Sequence, residues 1–256
     1  MPDKVLFSLG PISIRWYGLL VVTGMIAATF LACREAKRQE LDTDHYFNMC
    51  LMVLVAGVLG ARAYYVLFHW AYYSADPIRI LAFREGGLAI HGGLIAGGLT
   101  FVFSALRYRI GALQSLDIAA PSVALAQSIG RWGNFFNQEA YGFEVSPDKL
   151  PWAMFIDGAY RHPTFLYESL WDILVFFFLL WYRRRRKILT GNVFFMYAAL
   201  YSAGRLFIEG FRTDSLMLGR WRAAQVVSVL VILLVVLIML VRRRGKDQGG
   251  KIINVR

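Results

Sequence analysis

Long uncharged apolar runs alternate with short charge-bearing segments along the whole chain. A helix needs about 20 apolar residues to cross the roughly 30 Å hydrocarbon core of a bilayer. Runs of that order lie at about 14–33, 46–69, 88–107, 117–134, 166–183, 190–210 and 223–242. The last is the most apolar, since Ala223 to Val241 holds no charge. The fourth is broken by Asp117, Pro121 and Arg131, and is expected to be a helix buried among the others. The pattern predicts an all-α, polytopic membrane bundle of about seven transmembrane helices, a single membrane domain over residues 1–256. The first run is uncharged from Trp16 to Cys33 and precedes Arg34, Lys37 and Arg38, so it is expected to be a retained span rather than a cleaved leader.

Composition sharpens this picture. Hydrophobic residues make up 57% and charged residues 18%, with a mean hydropathy of +0.48, whereas soluble domains carry about 25% charged residues. The net charge of +11 does not signal nucleic acid, because the basic residues crowd into short connections between apolar runs. Arg34/Lys37/Arg38, Arg107/Arg109, Arg183–Lys187 and Arg242–Lys246 follow the first, third, fifth and seventh runs, which puts them all on one side. By the positive-inside rule that side is cytoplasmic, leaving the N-terminus outside and the C-terminus inside. The longest outer connection, residues 135–165, is expected to form a small extracytoplasmic cap, and residues 243–256 a cytoplasmic basic tail. Two cysteines make no disulfide framework in a chain this size.

Ionisable groups within apolar spans are where chemistry is expected, since insertion of each costs about 2.5–3.5 kcal/mol and such groups usually face a functional cavity. His91 stands about one turn into the third run, among glycines that allow close backbone approach; Gly93 and Gly97 have small-xxx-small spacing. A packing helix with one hydrogen-bonded histidine reads the same residues equally well. In residues 130–139 (GRWGNFFNQE), Arg131, Asn134 and Gln138 share a face if the helix continues that far. Arg205 and Glu209 are i, i+4 neighbours, and Arg212 extends their stripe; a simple intrahelical ion pair would not explain this second arginine. Residues 161–168 (RHPTFLYE) lead into the fifth run, where Thr164 suits an N-cap and Glu168 the positive end of the helix dipole. Tyr17 fits an aromatic belt. By the topology above, all these groups fall at the outer ends of different helices. Arginine's planar, always-charged fork suits a phosphate, so the natural ligand of such a pocket is an anionic phospholipid head group.

These segments, with HGGLI at 91–95, RLFIEGFR at 205–212 and IRWYGL at 14–19, resemble the signature segments of bacterial prolipoprotein diacylglyceryl transferases, in order and over nearly the whole chain, including Gln225. The resemblance implies a multi-pass enzyme of the bacterial cytoplasmic (inner) membrane with its active site facing the outer side. It would move diacylglycerol from phosphatidylglycerol to the lipobox cysteine of a prolipoprotein signal peptide, forming a thioether and releasing glycerol phosphate, among membrane lipids and without metal or other cofactor. The family's essential positions fall on Tyr17, His91, Arg131, Asn134, Glu139, Arg205 and Glu209. Two positions depart from its pattern: Gln138 stands where glycine is frequent, and Gly210 where an aromatic is common.

On this reading His91, Arg131 and Arg205 are catalytic, while Tyr17, Asn134, Glu139, Glu209 and Arg212 bind substrate. Neutral His91 would accept the thiol proton, or hydrogen-bond the lipid while another group takes it. The arginines would hold the phosphate, and Glu139 and Glu209 would orient them. Two other classes compete. An anionic-lipid transporter would place polar groups at the midplane of repeated halves, and no repeat is visible. A metal-dependent phosphotransferase would need a ligand set that the scattered His45, His69, His91 and His162 do not form.

Overall fold

Each apolar run becomes a helix, and the residues between runs set where it starts and stops. A computed structural model of the chain describes residues 3–10, 12–83, 86–185, 188–245 and 252–253; of the expected basic tail, 246–251 and 254–256 lie outside the described residues. The helices are α1 (Trp16–Arg38), α2 (Thr43–Phe68), the short α3 (Trp70–Ala75), α4 (Ile90–Arg107), α5 (Ala112–Asn137), α6 (Thr164–Tyr182), α7 (Asn192–Ile208) and α8 (Ala223–Gly245). By length and composition α1, α2, α4, α6 and α8 suffice to cross a membrane. The interrupted fourth run is one continuous helix, α5, with Pro121 inside it. Strands are few and short: hairpins pair β1 (Val5–Leu9) with β2 (Ile12–Arg15), β3 (Met154–Ile156) with β4 (Ala159–Arg161), and β6 (Met217–Leu218) with β7 (Trp221–Arg222), while β5 (Ile188–Leu189) pairs with β8 (Ile252–Ile253). The β3–β4 hairpin turns on Asp157 and Gly158, both at positive φ (49° and 81°), as a two-residue primed turn requires.

The molecule is an all-α membrane protein. Its outer surface is apolar in long rows: on α4, Leu99, Phe103 and Leu106 are 68%, 60% and 75% exposed. Water would not tolerate such rows, but lipid is their ordinary solvent.

The chain forms two compact units, residues 33–115 and residues 1–32 with 116–256. In the first, Asp42 caps α2 by accepting from the amides of Asp44 and His45 at 3.0 Å. α2 then packs on α4 through small residues. A Cβ on Gly60 would lie 2.2 Å from that of Ala96, and one on Gly92 2.3 Å from the Gly60 carbonyl oxygen. The tightest approach is therefore at Gly92 and Ala96, one residue before the Gly93/Gly97 pair singled out from spacing.

The second unit has its core between α5, α6 and α7, where Ala120 and Ala124 meet Val175, Phe176, Leu179 and Val193. Asp117 caps α7 from α5 by accepting from the amides of Gly191 and Phe194, which gives this buried carboxylate in an apolar run a structural role. Ser128 and Ser169 each donate to the other's carbonyl at 2.9 Å. This reciprocal clasp sets the register of α5 on α6, and so of Arg131, one turn further along, against Glu168.

Candidate functional site

The C-terminal ends of α5 and α7 and the N-terminal end of α6 carry a group of charged residues in this second unit, and their side chains converge on Glu168. Its two carboxylate oxygens take Arg131 Nη1 at 2.8 Å and Arg205 Nη1 at 2.5 Å, with Arg212 Nη1 at 3.8 Å. Arg205 also reaches Glu209 at 2.9 Å, and Arg212 lies 3.9 Å from the same Glu209 oxygen while gripping Asp214 through two bonds of 2.9 and 2.8 Å. Two guanidiniums some 6 Å apart repel by about 3 kcal/mol at an effective dielectric near 20, so three cannot gather without these carboxylates. Burial is divided usefully. The side chains of Glu168 and Glu209 are 5% and 2% exposed, whereas Arg131 and Arg205 keep 19% and 22% accessible. The anions are sequestered, and the cations present a free edge.

The surrounding backbone holds this arrangement. A Cβ on Gly204 would fall 2.2 Å from the Trp171 ring, whose Nε1 donates to the Leu200 carbonyl at 2.9 Å, so α6 and α7 touch one residue before Arg205. Gln225 of α8 donates to the Leu206 carbonyl at 3.0 Å. Gly142 pairs with Arg212 as a β-bridge and donates its amide to the His162 carbonyl at 2.9 Å, drawing residues 140–145 over the arginine. Beneath the arginines a cavity of about 10 Å³, room for the centre of one water, is lined by Arg131, Glu168, Asp172, Tyr201 and Arg205, among others. Asp172 Oδ2 has no hydrogen-bond partner among the described residues.

The remaining site residues predicted from sequence divide. Tyr17 packs against Gly133, where a Cβ would come within 2.6 Å of its ring, and lies within electrostatic reach of Glu139 and Arg131. Glu139 orients amides rather than arginines: it accepts from Asn134 at 3.1 Å and Asn137 at 3.2 Å. Gln138 does not share a face with Arg131 and Asn134, because α5 ends at Asn137 and Gln138 turns to φ 54°. The amide of Glu139 then bonds the Asn134 carbonyl and that of Gln138 the Phe135 carbonyl, which is a Schellman ending. Thr164 is not an N-cap; it is the first residue of α6, and its buried hydroxyl donates to the Ala140 carbonyl. His91 belongs to the other unit, where it sits exposed in the first turn of α4 with its ring 6.1 Å from that of Tyr64.

The sequence locates Glu168 but not its role, and it does not mark Asp172. Glu168 suits a helix dipole by its position, yet it is the hub of the ion-pair network. Asp172, one turn further along α6, is 3% exposed. Their i, i+4 spacing on an otherwise apolar span was the available signal.

The family model described as prolipoprotein diacylglyceryl transferase matches residues 4–241. A phosphatidylglycerol–prolipoprotein diacylglyceryl transferase of Streptococcus agalactiae is 46% identical over 250 residues, 95% of this chain and 97% of its own. Its counterpart in Bacillus mycoides is 45% identical over 253 residues, 94% of this chain and 93% of its own.

Proposed function

The chain belongs to the prolipoprotein diacylglyceryl transferase family, and we propose that the cluster of Arg131, Glu168, Arg205, Glu209 and Arg212 is where it binds the phosphate of its lipid. It is a transferase of lipoprotein maturation, acting in that pathway's first step to move the diacylglyceryl group from phosphatidylglycerol to a prolipoprotein. The observation that carries the site assignment is the meeting of three guanidiniums from two segments, Arg131 from one and Arg205 and Arg212 from the other, around one carboxylate, two of them with accessible edges.

In the reaction the lipobox cysteine gives up its thiol proton, and its sulfur forms a bond to the glycerol carbon. The bond between that carbon and the phosphate oxygen breaks, and glycerol phosphate leaves with the electron pair. An ordinary cysteine of pKa about 8.5 is mostly protonated at neutral pH, so a base is needed, and the His91 imidazole is the candidate. Arg131 and Arg205 hold the phosphodiester and stabilise the charge growing on the leaving group. Glu168 and Glu209 keep the guanidiniums together, while Arg212, tied to Asp214, closes the cationic rim. Asn134, held by Glu139, donates to a lipid oxygen, and Tyr17 packs beside it.

The same reading makes the seven long helices spans of a bacterial cytoplasmic membrane, N-terminus outside and C-terminus inside. Residues 135–165 form the cap over the arginines on the outer side, and residues 243–256 a cytoplasmic basic tail. The charge segregation supports this.

Transfer from labelled phosphatidylglycerol to a lipobox peptide tests the assignment. Arg131→Ala and Arg205→Ala are each expected to lower turnover by about 100-fold or more with the protein still inserted. Near wild-type turnover in either would remove the phosphate clamp, and near-normal rates in His91→Asn would leave His91 a structural residue.

A further inference from the structure

Arg62 of α2 is among the most completely satisfied side chains in the molecule, and the reaction as described has no use for it. It is 3% exposed. Its Nε donates to the Ile80 carbonyl at 2.9 Å, Nη1 to those of Gly86 and Gly87 at 2.5 and 3.1 Å, and Nη2 to those of Arg79 and Ala82 at 2.6 and 3.2 Å. A guanidinium has five N–H groups, and all five are used. Tyr73 and Phe83 cover the guanidinium, with ring centroids 5.2 and 5.5 Å from its carbon. Among the described residues its partners are carbonyls, not carboxylates. Burying an unpaired charge costs several kcal/mol unless its hydrogen bonds are made. A packing role for this position would be met by an apolar side chain at no such cost.

The carbonyls belong to one segment, residues 79–87, which leads into α4 and His91. The start of α4 has no local signal of its own: its N-cap is Ala89, with no side-chain cap, and its first turn has no acidic residue. Tertiary contacts set it instead. The amide of Ala89 donates to the Ala61 carbonyl at 3.0 Å, one residue before Arg62. On the other side of His91, Gly92 is pressed on Gly60. Gly87 holds φ 74° with room for no side chain, since a Cβ there would lie 2.6 Å from Arg62 Nη1.

We propose that Arg62 is a positioning residue for the transfer reaction: by gathering the carbonyls of Arg79, Ile80, Ala82, Gly86 and Gly87 it determines where α4 begins, and so where the His91 imidazole stands. This rests on the reading that His91 takes part in the chemistry. A lysine at 62 keeps the charge but offers three donors from one point, too few and too concentrated to hold five carbonyls.

The test is a double-mutant cycle on the full-length protein in phosphatidylglycerol micelles, with kcat, KM and thermal unfolding measured for each variant. Arg62→Lys is expected to lower kcat about tenfold or more, to leave KM for phosphatidylglycerol within about twofold, and to add little further loss once His91→Asn is present. Gly87→Ala, which disturbs the cage while keeping Arg62, is expected to behave likewise; it carries the test if Arg62→Lys folds poorly. A role confined to stability would lower the unfolding temperature but leave the losses multiplicative. Multiplicative losses, or an Arg62→Lys enzyme with normal kcat beside an impaired His91→Asn, overturn the positioning alone. A His91→Asn enzyme of normal rate overturns the His91 reading and this inference with it.

Discussion

Gln138 shows how much one backbone angle decides. It occupies the left-handed position of the Schellman turn that ends α5, and its Oε1 accepts only a 3.3 Å bond from the Asp157 amide in return. A left-handed non-glycine residue costs roughly 1–2 kcal/mol. Gln138→Gly is therefore expected to stabilise the protein by about 1 kcal/mol and to keep activity, read as a raised unfolding temperature; no change in stability would mean that the Asp157 contact offsets the strain. Glu168 is the opposite case. Its loss leaves Arg131 and Arg205 facing each other with one carboxylate fewer, and removing one partner of a buried pair typically costs about 3–5 kcal/mol. Glu168→Ala is expected to lower the unfolding temperature steeply and abolish transfer, while Glu139→Ala, which frees only amides, is expected to be the milder of the two in stability. Equal unfolding temperatures for these variants would contradict the hub assignment.

At the scale of elements, helices meet where side chains are missing. α6 and α7 approach at Gly204 against Trp171, directly beside Arg205, so even Gly204→Ala puts a methyl within 2.2 Å of a ring atom. That substitution is expected to separate the helices and cost transfer together with stability. Gly210 is different: the nearest neighbour of a Cβ there is Gln225 Nε2, at 4.0 Å. Gly210→Phe is expected to be accepted with near wild-type turnover; measuring both variants in one transfer assay separates a packing glycine from an open one. Sequence spacing located the glycine-rich face of α4 but was one residue out on its closest contact, because hydrophobic periodicity marks a face and not the rotation that a partner helix selects.

For the whole molecule, the segregation of charge makes a topological prediction. With Cys33 and Cys50 replaced, a cysteine at Asp148 is expected to react with a membrane-impermeant maleimide in intact cells. One at Arg185 should react only after permeabilisation. Labelling of both from outside would reverse the reading of the basic clusters. What the chain declares by itself is what short-range physics can carry. Twenty-residue apolar runs read as membrane helices, because a helix satisfies its own backbone in lipid; the basic clusters in alternate connections carry the proposed orientation; and the arginines and carboxylates at the opposite ends form the proposed anion site. Pairing lies beyond that range. Arg205 meets Glu168 across 37 residues of sequence, Asp117 caps a helix 74 residues away, and Arg62 closes on carbonyls up to 25 residues on. A Coulomb attraction has no sequence address, so which carboxylate becomes the hub, and which arginine is walled in by backbone instead, was decided only when the helices packed.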